Sequence, residues 1–350
     1  MSAVLVSPQL TPSMSRSRGV WSAAATRFRT DKVGMTSLVI VLLFILLVLA
    51  ASVGLVAKDW QAERGVPDAP PIFVGPAAQI ENAATAGPTG PNVDISAVDP
   101  LAPRYKEWAE AAKKYQTTEA ARALTLPFGG DRLGRDVLAK AIKGAQVSIL
   151  VGVSAALLAT LIGTLLGAVA GFFGGKAGDF LEWLYNVFTA IPSILLIFAF
   201  AAVFHRGVTS VVLILGLAGW TGIYRLVRAE FIKHAVRDYV RSAEAIGAST
   251  ASRMFRHILP NVSHVVLVQL SIHVVGFIKS EVILSYLGLG VGVDQVSWGT
   301  MLNEAQSELI LGHWWQLAAA TLFMAVFVTA FSLMTDALRD ALDPKLRGLE

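Results

Sequence analysis

Long hydrophobic stretches alternate with polar, charged or proline-rich segments along this chain of 350 residues. A helix needs about twenty apolar residues to cross the hydrocarbon core of a bilayer, so each long stretch predicts one membrane span. The stretches cover residues 37–57, 147–169, 180–203, 208–229, 265–287 and 314–334. This pattern predicts an all-α membrane protein with six transmembrane helices.

The segments between the spans differ in character. A polar, arginine-containing segment with an amphipathic pattern at 20–28 precedes the first transmembrane helix. A long insert rich in proline and alanine follows that helix, and 105–124 within it predicts a polar helix. The predicted regions are an N-terminal segment at 1–33, the first transmembrane helix at 34–57, the insert at 58–125 and a core with five transmembrane helices at 126–347.

Basic residues are concentrated in the short segments on one side of the predicted bundle. They lie in the N-terminal segment, in the turn at Lys176, in residues 225–257 and in the tail after 338. Cytoplasmic loops carry an excess of Lys and Arg, so this distribution predicts cytoplasmic N- and C-termini and an extracytoplasmic insert. The insert itself does not set the orientation, because long loops are largely exempt from this rule.

Composition narrows the classes of function. Hydrophobic residues make up 54% of the chain and charged residues 15%, and the mean hydropathy is +0.59, as in polytopic membrane proteins. There is no cysteine, which excludes disulfides and thiolate chemistry. The net charge of +4 is too modest for a nucleic-acid-binding face. Neither an H-E-x-x-H nor a G-x-S-x-G motif occurs, so we predict neither an enzyme nor a metal site.

A basic segment with a helical pattern interrupts the hydrophobic stretches at residues 239–261, YVRSAEAIGASTASRMFRHILPN. Gly247 can adopt a positive φ and end a first helix. Ser249 or Thr250 can cap a second helix, and Pro260 is expected to end it, because the interior of a helix does not tolerate proline. The segment thus predicts two short helices that meet at a turn.

This segment resembles the signature of ABC importer permeases, E-A-A-x3-G-x9-I-x-L-P, and its R-H-I-L-P-N form resembles the peptide-permease branch. An arginine replaces the signature glutamate and a histidine replaces the isoleucine. The corresponding positions are Arg241, Ser242 and Ala243 at E-A-A, Gly247 at the glycine, His257 at the isoleucine, and Leu259 and Pro260 at L-P.

Two further motifs carry the same resemblance. Residues 129–138, GGDRLGRDVL, resemble the G-T-D-x-x-G-R-D-V-L run before the second span of dipeptide, oligopeptide and nickel permeases. Residues 335–344, TDALRDALDP, resemble the G-D-x-L-R-D-x-L-D-P ending of peptide permeases. The resemblance covers residues 27–347 apart from 58–125, a segment that is long for this family.

A type I ABC importer permease fold is what the resemblance implies, with a function as the transmembrane permease subunit of an ATP-driven importer. The implied cargo is a dipeptide or oligopeptide, while nickel and glutathione stay open as alternatives. The implied partners are a second homologous permease, two ATP-binding subunits, an extracytoplasmic substrate-binding protein and membrane lipid. The implied location is the bacterial inner membrane.

In such permeases the loop with the signature contacts an ATPase subunit, so residues 230–262 are expected to form the coupling loop. The residues expected to take part in this contact are Arg241, Ala243, Gly247, Arg256, His257, Leu259 and Pro260.

No phosphate-binding loop is evident in the sequence. The run GGKA at 174–177 has Ala177 where the magnesium-binding hydroxyl should be, and Ala170 where the first glycine should be. We therefore expect that this chain binds no cofactor and that ATP with Mg²⁺ is bound by the partner ATPase subunits.

Ionisable residues in the fifth predicted span are candidates for a translocation path. His273 and Glu281 are eight positions apart and fall on roughly the same helix face, whereas Lys279 points elsewhere. Such groups cost about 2.5–3.5 kcal/mol each inside a bilayer, so they face protein or water. A role of His273 and Glu281 in the path is one prediction, and an ion pair with a neighbouring helix is the alternative.

Small residues recur every four positions at Gly163, Gly167 and Gly171. Such a stripe makes a flat helix face that lets another helix approach closely. We interpret it as a packing surface within the chain.

An ion-gradient-driven secondary transporter or channel subunit is the alternative function. Such proteins combine inverted repeats with helices that are broken near the middle of the membrane. Pro192 predicts one break in the third span, but no counterpart occurs elsewhere. The signature-like segment at 239–261 therefore favours the ATP-driven importer.

Overall fold

The computed structural model describes residues 20–76, 99–114 and 122–342, which form a bundle of helices. Within these ranges, extended backbone pairs only as isolated bridges. The helices are α1 (Val20–Thr30), α2 (Lys32–Ser52), α3 (Tyr105–Lys114), α4 (Val137–Phe173), α5 (Gly175–Thr189), α6 (Ser193–Val203), α7 (Val208–Ala218), α8 (Thr221–Ala235), α9 (Asp238–Ala245), α10 (Leu259–Tyr286, preceded by the π-helical segment Ser252–Ile258), α11 (Trp298–Ile310) and α12 (Trp315–Leu342).

The helices that can span a membrane are four long apolar helices and two bent pairs. The long helices are α2, α4, α12 and the continuous helix of 35 residues from Ser252 to the end of α10. The pair α5–α6 is bent by 87° and the pair α7–α8 by 42°. With each bent pair counted as one span, the described residues contain six spans, which is the predicted number.

The two bends have different origins. Pro192 lies at the bend between α5 and α6, as predicted, because proline cannot continue the hydrogen bonds of α5. The bend between α7 and α8 is not predicted by the sequence. It lies at Gly219, where a Cβ atom would come within 2.7 Å of Cε1 of Phe277 on α10. This second bend therefore depends on packing between distant segments.

The central helix of the bundle is α4, which packs against α7, α8 and α10. Its glycine stripe lies against α8. A Cβ atom at Gly167 would be 2.7 Å from the carbonyl oxygen of Tyr224, and one at Gly171 would be 2.6 Å from that of Arg228. The predicted close packing within the chain is confirmed. With 37 residues, α4 is about 55 Å long and connects the two ends of the bundle.

The first span is shifted toward the N-terminus relative to the predicted residues 34–57. Asp31 caps the start of α2 by accepting a hydrogen bond from the Val33 N–H at 2.9 Å. At the other end, Gly54 has a φ of +79° and closes the helix with a C-terminal turn. Residues 55–57 are apolar but lie outside the helix, because this turn ends the hydrogen-bond ladder.

The two ends of the insert and the residues that flank them fold together into a cap, which consists of residues 53–76 and 122–136. Isolated bridges and backbone hydrogen bonds join the two segments. The bridges connect Glu63 to Arg135, Gly65 to Ala123, and Pro71 to Leu126.

The polar helix predicted at 105–124 is shorter than expected. The described part, α3, runs from Tyr105 to Lys114. Its predicted end does not belong to the helix, because Ala123 is extended and pairs with Gly65 of the cap. Residues 77–98 and 115–121 of the insert lie outside the described residues.

The segment with the amphipathic pattern at 20–28 lies in helix α1, which packs on the end of α12. Ala24 is buried against Ala341 and Leu342. The tail motif continues beyond Leu342, and its last residues lie outside the described part of the chain, as do residues 1–19.

Candidate functional site

The coupling loop, residues 230–262, lies at the end of the bundle opposite the cap. α4 begins beside the cap, and its last turn lies next to the coupling loop. There the guanidinium of Arg253 lies over the Phe172 ring, 5.4 Å from its centroid. The two ends of α4 therefore mark two separate candidate sites, the coupling loop and a polar network below the cap.

Two helical limbs of the coupling loop meet at Gly247, as the sequence predicts. Gly247 has a φ of +85°, and the following Ala248 N–H donates a hydrogen bond to the Ala243 carbonyl at 2.9 Å. This is the Schellman arrangement, which ends many helices. Ser249 caps the second limb by accepting a hydrogen bond from the Ser252 N–H at 3.3 Å. The turn and one of the two predicted caps are confirmed.

Apolar side chains anchor the coupling loop to the bundle. Val240, Met254 and Ile258 are buried, and they form one cluster with Val227 and Phe231 of α8. Because both limbs contribute to this cluster, the loop is a rigid extension of the membrane helices.

Most of the predicted contact residues are at least partly accessible. Arg241, Gly247, Arg256 and Pro260 are exposed, His257 and Leu259 are half-buried, and Ala243 is buried. The structure therefore places all seven predicted residues on the same loop, where the buried Ala243 supports the fold of the loop.

An apolar residue that the sequence analysis missed lies at the tip of the loop. Ile246 is 85% exposed and directly precedes Gly247. Its neighbours along the chain are also exposed, so this side chain is free to enter a pocket of a partner protein. The sequence signal that could have identified Ile246 is an isoleucine next to the turn glycine in an otherwise polar stretch.

A salt bridge joins the two limbs beside the turn. Arg253 Nη1 lies 2.6 Å from Glu244 Oε1, and the same guanidinium covers Phe172 of α4. The Arg253 side chain is 18% exposed and that of Glu244 59%. Ion pairs that solvent reaches contribute little stability, typically below about 1 kcal/mol. Their effect here is to orient the limbs relative to each other and to α4.

Pro260 does not end the second limb, which corrects the sequence-based expectation. The helix continues through this residue from Ser252 to the end of α10. The segment Ser252–Ile258 is π-helical, and the Leu259 N–H donates to the Met254 carbonyl five residues earlier. The wider π turn accommodates the proline ring, and Pro260 has no N–H to leave unpaired at the start of α10.

The structure places the two candidate path residues in separate surroundings. Glu281 is fully buried and accepts hydrogen bonds from Ser148 Oγ at 2.7 Å and Ser285 Oγ at 2.6 Å. The His273 ring stacks on Phe277 with a centroid distance of 5.2 Å. The described hydrogen-bond partners of Glu281 are therefore hydroxyls and not the cation of a neighbouring helix.

Through these hydroxyls Glu281 connects α4, α10 and α11. Ser148 on α4 also accepts a hydrogen bond from the Trp298 N–H at 3.2 Å, at the start of α11. Ser285 also accepts one from the Val291 N–H at 3.3 Å. The sequence could not reveal this node, because Ser148 and Glu281 are 133 positions apart.

The motif at 129–138 forms a tight turn around Asp131, which is fully buried. Asp131 Oδ1 accepts hydrogen bonds from the N–H groups of Leu133 and Arg135, both at 2.9 Å. Oδ2 accepts from the Arg135 side chain and from Lys140 Nζ, both at 2.7 Å. Burial raises the pKa of Asp131, but Lys140 and these hydrogen bonds outweigh burial, so the pKa lies below its ordinary value. Asp131 is therefore ionised at neutral pH.

Lys140 is also fully buried and extends this network. Its Nζ donates hydrogen bonds to Asp131, to Glu304 Oε2 at 2.5 Å and to Gln316 Oε1 at 3.0 Å. An ammonium group has three donors, so each has a partner. Glu304 lies on α11 and Gln316 on α12, and the network therefore ties the cap to α4, α11 and α12.

A second buried acid, Glu308, lies at the same corner of the bundle. Its Oε1 accepts a hydrogen bond from the Arg132 N–H at 3.2 Å, and its Oε2 has no hydrogen-bond partner among the described residues. Burial is the main cause that raises the pKa of Glu308 to about 7. The Arg132 hydrogen bond and Lys140 lower this pKa, whereas Asp131 and Asp68 raise it.

The raised pKa of Glu308 predicts that the protein becomes less stable as the pH rises toward about 7. Above its ordinary pKa of 4.5, the unfolded chain releases a proton that the folded chain still holds. The folded state therefore loses stability from about pH 4.5 up to about pH 7, on the order of 1–3 kcal/mol in total. Glu308→Gln keeps an acceptor for the Arg132 N–H but does not ionise.

The apparent melting temperature in detergent is the measurement, followed from about pH 5 to about pH 8. We expect the wild type to lose more thermal stability over this range than Glu308→Gln. Parallel pH profiles for the two proteins would show that Glu308 is not the titrating group.

The run GGKA at 174–177 links α4 to α5, and Lys176 is exposed. In residues 20–76, 99–114 and 122–342, no group of three or more His, Asp or Glu side chains has the geometry to hold a metal ion.

Comparison with known proteins identifies the class. Residues 163–348, which include the coupling loop, match the family described as "Binding-protein-dependent transport system inner membrane component". The oligopeptide transport system permease protein OppC of Bacillus subtilis (strain 168) is 30% identical over 337 residues, which cover 95% of this chain and 92% of that protein.

Two further relatives, matched over shorter stretches, are also permeases named for peptide transport. The dipeptide transport system permease protein DppC of Bacillus subtilis (strain 168) is 36% identical over 220 residues, covering 63% of this chain and 69% of that protein. The oligopeptide transport system permease protein OppC of Escherichia coli (strain K12) is 35% identical over 254 residues, covering 71% and 82%.

The helical bundle and its membrane spans define an integral membrane permease with the type I ABC importer fold. The chain belongs to the family of inner membrane components of binding-protein-dependent transport systems. The predicted fold class and family are confirmed, and the alternative of an ion-gradient-driven transporter is not favoured.

Proposed function

We propose that this permease imports dipeptides or oligopeptides, together with a second homologous permease, two ATP-binding subunits and an extracytoplasmic binding protein. The observation that carries the proposal is the similarity over 95% of the chain to a permease named for oligopeptide transport. Relatives named for dipeptide and di/tripeptide transport support a peptide cargo. One relative, 37% identical over 222 residues, is named for glutathione transport. Glutathione is itself a small peptide derivative, so this name is compatible with a peptide cargo.

The coupling loop is proposed to receive the movement of an ATPase subunit. Ile246 and Gly247 form its exposed tip, and the buried base joins it to α8. From Ser252 a single helix of 35 residues leads through α10 to the Glu281 node, roughly 44 Å away. A displacement at the tip would therefore reach the contact between α10, α4 and α11 without a flexible joint. Both ATP and the loaded binding protein must favour one state of the bundle for such coupling to work.

The proposed orientation of the protein in the membrane is inferred from the positions of the basic segments. The N-terminal segment, the coupling loop and the C-terminus are proposed to be cytoplasmic, and the cap with the rest of the 58–125 insert extracytoplasmic. His273 and Glu281 remain candidate path residues on the helix between these two sides. The cap, placed above α4, α11 and α12, is then available to the binding protein or the second permease.

Uptake into vesicles tests the proposed function. The purified transporter is reconstituted with ATP on the side of the coupling loop, and labelled dipeptides and oligopeptides are offered with the binding protein on the other side. We expect accumulation that requires ATP and the binding protein and that an ionophore does not abolish. Accumulation that follows an ion gradient in the absence of ATP would instead establish the alternative function.

Photolabelling provides a separate prediction about the nucleotide. Azido-ATP is expected to label the ATPase subunits and to leave this chain unlabelled, because the run at 174–177 lacks the residues of a phosphate-binding loop. Excess unlabelled ATP is the control for specificity. Labelling of this chain to the same extent as the ATPase subunits would contradict the prediction.

A further inference from the structure

A short apolar loop projects from the cap at Ile72, Phe73 and Val74. These three consecutive side chains are 60%, 64% and 55% exposed. Single exposed apolar residues are normal, but a contiguous exposed patch marks a surface that contacts another protein or a membrane.

The 72–74 loop is held in place by the cap. The Ile72 N–H donates a hydrogen bond to the Leu126 carbonyl at 3.0 Å, and the Val74 N–H donates to the Pro71 carbonyl at 2.9 Å. These bonds fix the backbone on both sides of Phe73. The apolar side chains are therefore presented by a defined backbone.

Aromatic contacts connect this loop to the start of a membrane span. The Phe73 ring lies 6.0 Å from the Phe128 ring and 6.3 Å from the Trp314 ring, measured between centroids. Trp314 is itself exposed and directly precedes α12. The 28 residues of α12 extend about 42 Å, more than the roughly 30 Å of the hydrocarbon core. Tryptophan is enriched in the interfacial layer of a bilayer, which favours this layer as the place of the first turn of α12.

Exposed residues a few positions before Trp314 along the chain are also apolar. Ile310, the last residue of α11, is 86% exposed, and the following Leu311 is 69% exposed. No charged residue occurs from Ala69 to Gly75. Asp68, just before this run, pairs with His313 at 3.3 Å. The exposed charged residues of the cap, among them Lys58, Arg132 and the pairs Arg64–Asp59 and Arg122–Glu63, lie in other segments. The patch thus lacks the charges that would recognise a polar partner, and it continues the apolar surface of a membrane helix.

We propose that the 72–74 loop inserts Ile72, Phe73 and Val74 into the interfacial layer of the lipid bilayer and so anchors the cap to the membrane beside α12. The occupant of this surface is lipid. The anchor holds the cap over the Asp131–Lys140 network, and it does not depend on which substrate the transporter carries.

Site-directed spin labelling tests this anchor, because the native chain has no cysteine to compete for the label. Ile72→Cys and Val74→Cys are labelled in the purified chain, which is then assembled with its partners and reconstituted in vesicles of phosphatidylethanolamine and phosphatidylglycerol. Glu63→Cys, on the charged part of the cap, is the matched control. Collision with oxygen, which concentrates in lipid, is compared with collision with a water-soluble nickel chelate.

We expect the ratio of oxygen to nickel accessibility to be several-fold higher at positions 72 and 74 than at position 63. Equal ratios at the three positions would overturn the proposal, because the loop would then be in water. Protection from both reagents would also overturn it, since the loop would then be covered by protein. In that case, a repeat without the binding protein would tell whether that partner or the second permease covers the loop.

Discussion

Gly247→Val is expected to abolish ATP-driven transport while the permease still inserts and assembles. Gly247 has a φ of +85°, which a β-branched residue strongly disfavours, and for ordinary residues the left-handed region costs roughly 1–2 kcal/mol. No atom lies within 4 Å of a Cβ placed there, so the effect would come from the backbone and not from a clash. Valine would therefore move the tip at Ile246 away from its proposed contact with the ATPase subunit.

A graded series separates backbone strain from other causes. Asparagine adopts the left-handed conformation more readily than other non-glycine residues, so Gly247→Asn should transport nearly as well as the wild type. Gly247→Ala should be intermediate, and Gly247→Val should lose at least about tenfold, which corresponds to 1.4 kcal/mol. Peptide uptake and stimulation of the ATPase by the loaded binding protein are the two measurements. Normal stimulated transport by the valine variant would show that the turn does not transmit the movement.

Lys140→Met is expected to cost about 3–5 kcal/mol of stability. Lys140 and Asp131 are fully buried, and removal of the ammonium would leave two carboxylates, Asp131 and Glu304, to share the single Arg135 guanidinium. Methionine fills much of the same volume, so the loss would report the charge and not a cavity. We expect a large fall in the melting temperature in detergent and separation of the cap from α11 and α12.

Two further variants test the electrostatic explanation. Arg64→Met breaks an exposed pair with Asp59 in the same cap and should cost less than about 1 kcal/mol. Adding Glu304→Gln to Lys140→Met should restore part of the lost stability, because it removes one uncompensated negative charge. If Lys140→Met is no less stable than Arg64→Met, the buried network does not hold the cap.

Local sequence patterns predicted the features that depend on neighbouring residues. The number of spans follows from the length of the apolar stretches, and the bend at Pro192 follows from the missing N–H of proline. The turn at Gly247 and the cap at Ser249 are equally local, since each depends on one residue type at one position. The family resemblance rested on the same local motifs.

The differences from the sequence-based expectations have one local cause and two distant ones. Pro260 was expected to end a helix, but the π-helical segment before it lets the helix continue. The helix predicted at 105–124 extends too far because Ala123 pairs with Gly65, which lies near the beginning of the insert. The bend at Gly219 depends on Phe277 and has no signal in its own segment.

By itself, the sequence determined the class of this protein: an all-α membrane permease with a coupling loop centred on Gly247. Hydrophobic length, glycine geometry and proline chemistry act over a few residues, so a linear pattern contains them. Only the tertiary structure decided the partners of the buried charges. Asp131, Lys140 and Glu281 are satisfied by groups up to 176 positions away in sequence. A buried charge is stable only where the fold brings its counter-charges and donors together, and that placement depends on the packing of the whole bundle.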